Sequence, residues 1–327
     1  MSDALFWYGC NMTRHAEIIR LGQRMLAAVG VGASPIGGPG ACCGSPKEST
    51  PRIAEGMANR TMERFGAWAS GVRSAQGGAA EGGEHRSRES AADRGVRSAQ
   101  GGAAEGGEHR SRESAAAPQA PPRVITWCPS CHMNLDDFMG RTKEKGFDHR
   151  HLCEALWEGR EALAPLLRHP VRARFLVDRH IGFHAEVPVN DIIPALLALI
   201  PGAEHLDHPY RGGSYMCFGL ANVPGALADH QRALLAALRE TGADTLVTIF
   251  HSCHRELVGL EKNHGIRVVN WVHLLAEAMG WAYQDDYKAW RNAEDPLAAI
   301  GPERVAAAGE VAVKKLVLPE LARPRPV

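Results

Sequence analysis

Short apolar runs alternate along this chain with longer stretches whose apolar residues recur at helical spacing. Leu5 to Tyr8 is such a run, ends at Gly9-Cys10, and predicts a buried strand. Thr13 is placed to cap a helix in which Ile18, Leu21, Met25 and Val29 share one face, with Gly30 as its stop. Val31 to Gly40, rich in Gly and Pro, reads as a loop, and about Thr50 to Ala69 as a second helix. Val124-Ile125-Thr126 is β-branched, and Leu135, Phe138 and Met139 follow at helical spacing. That predicts a strand, a tight turn over Trp127 to Asn134, and a helix running to Gly146. A short strand is expected before His151-Leu152-Cys153, with Cys153 as a core residue.

The later part of the chain carries the same alternation. Ile192 to Ile200 and Leu227 to Arg239 read as helices, the second amphipathic and stopped at Gly242. Asp244 to Ile249 and Ile266 to Val269 read as strands, and Val272 to Met279 as a helix. Strands alternating with helices predict an α/β chain with short, mainly parallel sheets. Beyond Gly280 the tail is polar and proline-rich, with one helix about Pro302 to Val317, and is expected to dock on the body or on a partner.

Two kinds of repetition organise this pattern. Gly71 to Ala92 recurs letter for letter from Gly95 to Ala116, a period of 24 residues. The unit has almost no large apolar residue with which to build a stacked core, so 71–119 is expected to be a disordered insertion. Removing two periods shortens the 84 residues between Cys43 and Cys128 to 36. The second repetition is longer. An offset of 122 carries Cys131 to Cys253, His132 to His254, Leu135 to Leu257, His151 to His273 and Leu152 to Leu274, and an offset of 175 carries Cys42 to Cys217 and Gly44 to Gly219. The two offsets differ by 53, close to the 48 residues of two periods. The expected fold is therefore a tandem duplication with pseudo-two-fold symmetry: a half-domain over 1–160 that received the insertion, a second over 174–280, and a tail over 281–327.

Composition narrows the function classes. Lys+Arg and Asp+Glu both number 37, so no net charge recruits nucleic acid or an anionic membrane. No apolar run approaches the roughly 18–20 residues that span a bilayer, and the N-terminus lacks the basic-then-apolar pattern of a secretion signal. A cytoplasmic protein is expected. There, the eight cysteines point to metal ligation or catalysis rather than to disulfides.

The chemistry concentrates in Trp127-Cys128-Pro129-Ser130-Cys131-His132-Met133-Asn134. A Cys-x-x-Cys at the start of a helix fits zinc, disulfide redox and iron–sulfur ligation alike. Cys10 and the vicinal pair Cys42-Cys43, followed by Gly44, extend the set to five. A four-thiolate zinc site would leave one of them over, and zinc sites are usually built from two paired knuckles, of which only one is present. A thioredoxin-like dithiol at Cys128 and Cys131 would leave Cys42-Cys43 unexplained. His132, beside Cys131, either donates a hydrogen bond to a cluster sulfur or faces solvent.

In the order lone cysteine, Cys-Cys-Gly, Cys-Pro-Ser-Cys, these motifs resemble the cysteine-rich CCG domain of the heterodisulfide reductases and their relatives. Those relatives serve in sulfur oxidation, type E succinate dehydrogenase and glycolate oxidase. The resemblance covers about residues 4–70 and 120–280. It implies one noncubane 4Fe-4S cluster bound by Cys10, Cys42, Cys43, Cys128 and Cys131, one of them bridging two irons; thiolates suit iron as soft, anionic ligands. It also implies thiol/disulfide redox chemistry on a sulfur substrate in a heterodisulfide-reductase-like complex of the sulfur-oxidising type. The chain would be an oxidoreductase subunit active only with a ferredoxin-type iron–sulfur subunit and a flavoprotein, because it carries neither a ferredoxin cysteine run nor a Gly-x-Gly-x-x-Gly fingerprint. The alternatives are an electron-transfer accessory subunit of a quinone-linked dehydrogenase, like type E succinate dehydrogenase, and a non-catalytic zinc-bound scaffold.

The second copy departs from this pattern. By offset, Cys10 falls on Ala185, beside His184, while Cys43 falls on Phe218 and Cys128 on Phe250. Two thiols cannot hold the same cluster, so a single cluster is expected and the second-half cofactor is open. Cys217, Cys253, His184, His251 and His254 are the candidate catalytic residues of the vacated pocket, which would take another metal or a sulfur substrate; the bland reading is a packed half-domain with two relic thiols.

Overall fold

The computed structural model describes residues 4–44, 50–81, 122–139, 147–212 and 217–322. It is an α/β structure with two four-stranded, wholly parallel sheets. The first contains β1 (Ala4–Gly9), β2 (Ala33–Gly37), β3 (Arg123–Thr126) and β4 (Asp148–His151) in the order β2-β1-β3-β4. The second contains β5 (Ala173–Asp178), β6 (Ala203–His205), β7 (Thr245–Thr248) and β8 (Arg267–Asn270) in the order β6-β5-β7-β8. In each sheet the two central strands are nearly continuous apolar runs, as parallel strands covered on both faces must be.

Three strands were not expected. β2 lies in the Gly/Pro loop, β6 follows Pro201-Gly202, and β5 begins inside the basic, proline-containing stretch Leu167 to Arg174. β2 and β6 are edge strands, partly exposed, and need no apolar alternation; Pro35 is tolerated there because an edge leaves amide positions unpaired. Thr13 does not cap the first helix. It lies in a 3-10 turn, Asn11–Arg14, and the helix Ala16–Ala28 begins after His15. The second helix runs Pro51–Glu81, so the first eleven residues of the expected insertion are helical rather than disordered. The rest of that insertion, like the end of the helix expected to reach Gly146, lies outside the described residues.

The two sheets share one strand order, and setting β3 against β7 puts Ala4 opposite Phe175, 171 residues apart rather than the 175 that paired Cys10 with Ala185. Cys10 then matches Ile181 rather than Ala185, and Gly9 matches His180. Likewise Thr126 pairs with His151 but Thr248 with Asn270, so His151 corresponds to Asn270 and not to His273. Both residues end a strand and cap the next helix, His151 on Cys153 N–H and Asn270 on Val272 N–H.

A large apolar core runs through both sheets and the tail, from Phe6 and Met25 through Val247 and Leu275 to Ile300 and Leu321, and a smaller one gathers Leu5, Trp7, Phe65 and Leu135 around Cys43 and Cys131. The tail is docked by Tyr287, by His254 Nε2 against Asp285 Oδ2 at 2.6 Å, and by Asn292 Nδ2, which donates to Val258 O at 3.1 Å. Among the described residues no helix is long and apolar enough to cross a membrane.

Candidate metal centres

Both sheets present sulfur at the carboxyl ends of their two central strands, where open parallel sheets hold ligands. In the first sheet Cys10 directly follows β1, and Cys128 and Cys131 lie in the turn and first helical turn after β3. Cys42 and Cys43 arrive from a loop anchored on both sides. Trp7 Nε1 donates to Ala41 O at 2.8 Å, and Thr61 Oγ1, from the helix Pro51–Glu81, donates to Cys42 O at 2.9 Å. Three distant chain segments are thereby brought together.

All five predicted thiols meet. Cys10 Sγ and Cys42 Sγ lie 3.3 Å apart, Cys42 also interacts with Cys43, and Cys131 with both Cys43 and Cys128. Gly44 N–H donates to Cys42 Sγ at 3.4 Å, and Asn134 Nδ2 approaches Cys43 Sγ at 3.6 Å. Cys42, Cys43 and Cys131 are buried, while Cys10 and Cys128 are half-buried and mark the open side. Two glycines make the approach possible. Gly9 has φ +82°, and a Cβ there would stand 3.1 Å from Cys131 Sγ; Gly44 has φ +88°, and its Cβ would stand 2.4 Å from Ala54 O. No disulfide joins any of the eight cysteines.

The charges alternate around this set. The Cys10 hydrogen bond, with that of Cys43 and the Gly44 amide, outweighs burial and brings the Cys42 thiol down to about 3, while Cys10 is pushed up as the donor. Cys128 is lowered chiefly by the hydrogen bond from Cys131, against its own burial, and Cys131 is raised in turn. The result is a soft donor set in which thiolates are already favoured beside thiols. His132 does not face solvent; it is buried, with Nδ1 2.7 Å from Thr126 Oγ1. Cys153 is a core thiol raised by burial.

The second sheet gathers a different set. Asp178 and His180 at the end of β5, Cys217 at the start of the helix Cys217–Leu220, and Cys253 in the helix His251–Leu257 place one ligand atom each within 4.8 Å of all the others. Burial opposes a charge on Cys253, but the hydrogen bond from Cys217 and the nearby His180 bring it down to about 5. Asp178 stays ionised despite burial because His180 and His230 flank it. Of the expected residues, Cys217 and Cys253 are here and the three histidines are not. His184 is half-buried, 3.7 Å from Asp191 Oδ2; His251 accepts from Trp127 Nε1 at 3.2 Å; His254 meets Asp285 and Thr248. Asp178 and His180 were missed because the offset of 175 misaligned the strand ends. The run Phe175-Leu176-Val177-Asp178-Arg179-His180, an apolar strand ending in two metal-type ligands, was the available signal.

Two further groups have metal-like spacing, His254-His273-Asp285 and His15-Glu17-Asp285, at the seam between the first helix, the second half and the tail. The groups with single-ion spacing among the described residues contain no first-half cysteine.

No family model matches the chain. No curated protein matches it either. Among solved structures, allantoin racemase from Pseudomonas fluorescens is similar at 12% identity, covering 86% of this chain and 93% of that one, with a TM-score of 0.27.

Proposed function

We propose that the chain is the iron–sulfur subunit of a heterodisulfide-reductase-like complex, built from one duplicated CCG unit, with a noncubane 4Fe-4S cluster in the first half. The observation that carries this reading is the meeting of Cys10, Cys42, Cys43, Cys128 and Cys131 at one sheet end. The set fits a cluster on three counts. There are five soft donors, more than one tetrahedral ion takes. Cys42 and Cys128 are drawn towards the thiolate by their neighbours' hydrogen bonds. Gly9 leaves open the space beside Cys131 that a Cβ would fill.

Bound there, the cluster would supply one-electron chemistry at iron next to a substrate sulfur. The protein's own part is to deliver and orient its ligands. Gly44 N–H and Asn134 Nδ2 stabilise negative charge on Cys42 and Cys43, as hydrogen bonds to cluster ligands do when they tune a potential. Thr61 and Trp7 fix the backbone that carries the vicinal pair. The half-buried side, at Cys10 and Cys128, is where a thiol or disulfide substrate would enter. Electrons would pass to or from a ferredoxin-type subunit and a flavoprotein of the same complex.

The test is anaerobic purification with iron and acid-labile sulfide analysis alongside EPR. Four iron with four sulfide per chain, and altered spectra in Cys43→Ser, are the expected results. Zinc without sulfide at these five thiols would replace the reading with that of a scaffold.

A further inference from the structure

The four buried groups at the end of the second sheet have the separations of a single coordination sphere. Cys217 Sγ lies 3.4 Å from Asp178 Oδ2, and His180 Nε2 lies 3.3 Å from that same oxygen. His180 Nε2 lies 3.1 Å from Cys253 Sγ. Zinc–sulfur bonds of about 2.3 Å and zinc–nitrogen or zinc–oxygen bonds of about 2.0–2.1 Å put tetrahedral ligands roughly 3.3–3.8 Å apart. Two of these separations fall in that range and the third, 3.1 Å, lies just below it, with the same atom of each side chain used every time.

The surroundings are those of a built site. Asp178 turns its other oxygen, Oδ1, to His230 Nε2 at 3.0 Å, and Tyr210 OH holds His230 Nδ1 at 2.7 Å. Ligating carboxylates are commonly oriented by such outer hydrogen bonds. Asp178, Cys217 and Cys253 are wholly buried and His180 nearly so. A carboxylate and two sulfurs in one dry pocket are costly neighbours unless a cation joins them.

The comparison with the first sheet excludes a second large cluster. Gly9 leaves space against Cys131; at the matching position the imidazole of His180 lies against Cys253. A cysteine nucleophile activated by His180 and Asp178 is excluded by access. Its sulfur belongs to a wholly buried residue, packed among Asp178, His180 and Cys217.

We propose that Asp178, His180, Cys217 and Cys253 form a closed, structural site for one zinc-class divalent cation, with His230 and Tyr210 orienting its carboxylate. Two sulfurs, one imidazole and one carboxylate make a borderline-soft tetrahedral set, and four protein ligands leave no position for substrate. The site shares no ligand with the five-thiol set, so either assignment can fail alone.

The experiment is metal analysis and cobalt(II) reconstitution of the full chain. One zinc per chain is expected, retained in Cys42→Ser/Cys43→Ser and lost in Cys217→Ala/Cys253→Ala. Cobalt(II) should give intense tetrahedral d–d bands with sulfur-to-metal charge transfer, and His230→Ala should weaken cobalt binding by about 10–100-fold. Should the double cysteine variant fail to fold, the wild-type chain decides: zinc must be released stoichiometrically as its thiols are titrated with a mercurial. Folded protein that takes up no tetrahedral cobalt would overturn the proposal. So would zinc that follows Cys42 and Cys43, or a second iron–sulfur cluster at these residues.

Discussion

Gly9 is the residue on which the five-thiol set is most exposed to a single change. Its φ of +82° is unfavourable for any residue with a Cβ, and that atom would press on Cys131 Sγ and on Cys128 Cβ, 3.2 Å away. Gly9→Ala should therefore cost about 1–2 kcal/mol in backbone strain alone. It should also lower the iron and sulfide of the proposed cluster together while leaving the zinc proposed for the second sheet in place. Equal loss of both metals would show general unfolding instead. His151 makes a different residue-scale prediction. Burial pushes its imidazole down to about 4, partly resisted by its contact with Trp127 O at 2.9 Å. An unfolded histidine titrates near 6.5, so between these values the unfolded chain holds the extra proton. This contribution is complete above about pH 6.5 and is lost as pH falls towards 4, at about 1.4 kcal/mol per unit and about 3 kcal/mol across the window. Urea unfolding at pH 7.5, 6 and 5 should show at least that slope, since burial also lowers His254 and His251, and His151→Asn should reduce it by about 1.4 kcal/mol per unit.

The junction from strand to helix is the unit that repeats between the two sheets. Thr126 meets His132 and the carbonyl of Arg150; Thr248 meets His254 and the carbonyl of Val269. Asn270, wholly buried, closes the second junction by donating to Thr248 O at 3.1 Å and Ile249 O at 3.2 Å while accepting from Val272 N–H at 3.1 Å. Asn270→Ala strands those groups and removes a cap. It should lower the stability of the chain by about 2–4 kcal/mol in denaturant titrations, with no change in metal content. What the sequence made legible follows from the same junctions. β3 and β7 are short runs next to cysteine motifs, and their bounds lie 122 residues apart. The five first-half thiols could be named because each stands within or beside a compact motif. β2 and β6 carry no pattern because edges do not require one. Set strand against strand, the two sheets differ by 119 residues at β4 and β8 and by 171 at β1 and β5, so the offset of 175 placed the partner of Cys10 beside His184 and passed over Asp178 and His180. Burial of a polar side chain leaves no mark on composition.

At the scale of the whole molecule, the two candidate centres sit on sheets that share one core, and one residue reaches from the first to the second. Trp127 directly precedes Cys128. Its indole stacks on Trp271 with ring centres 5.8 Å apart, and its Nε1 donates to His251 Nδ1, two residues before Cys253. Burial and the neighbouring charges of His15 and Arg255 hold His251 well below the usual histidine range, so it stays neutral and can accept this bond. Trp127→Phe keeps much of the ring packing and removes the donor, leaving the buried His251 nitrogen without it. The loss should be about 1–3 kcal/mol. A shared core predicts how that loss appears. Unfolding followed by tryptophan fluorescence and by far-ultraviolet circular dichroism should remain one coincident transition moved to lower denaturant, because neither half keeps its apolar surface covered without the other. Separation into two transitions would show instead that the halves fold independently and that the seam contributes little. In that case the tail, which places Tyr287 and Leu321 in the same core, should unfold with the second half alone.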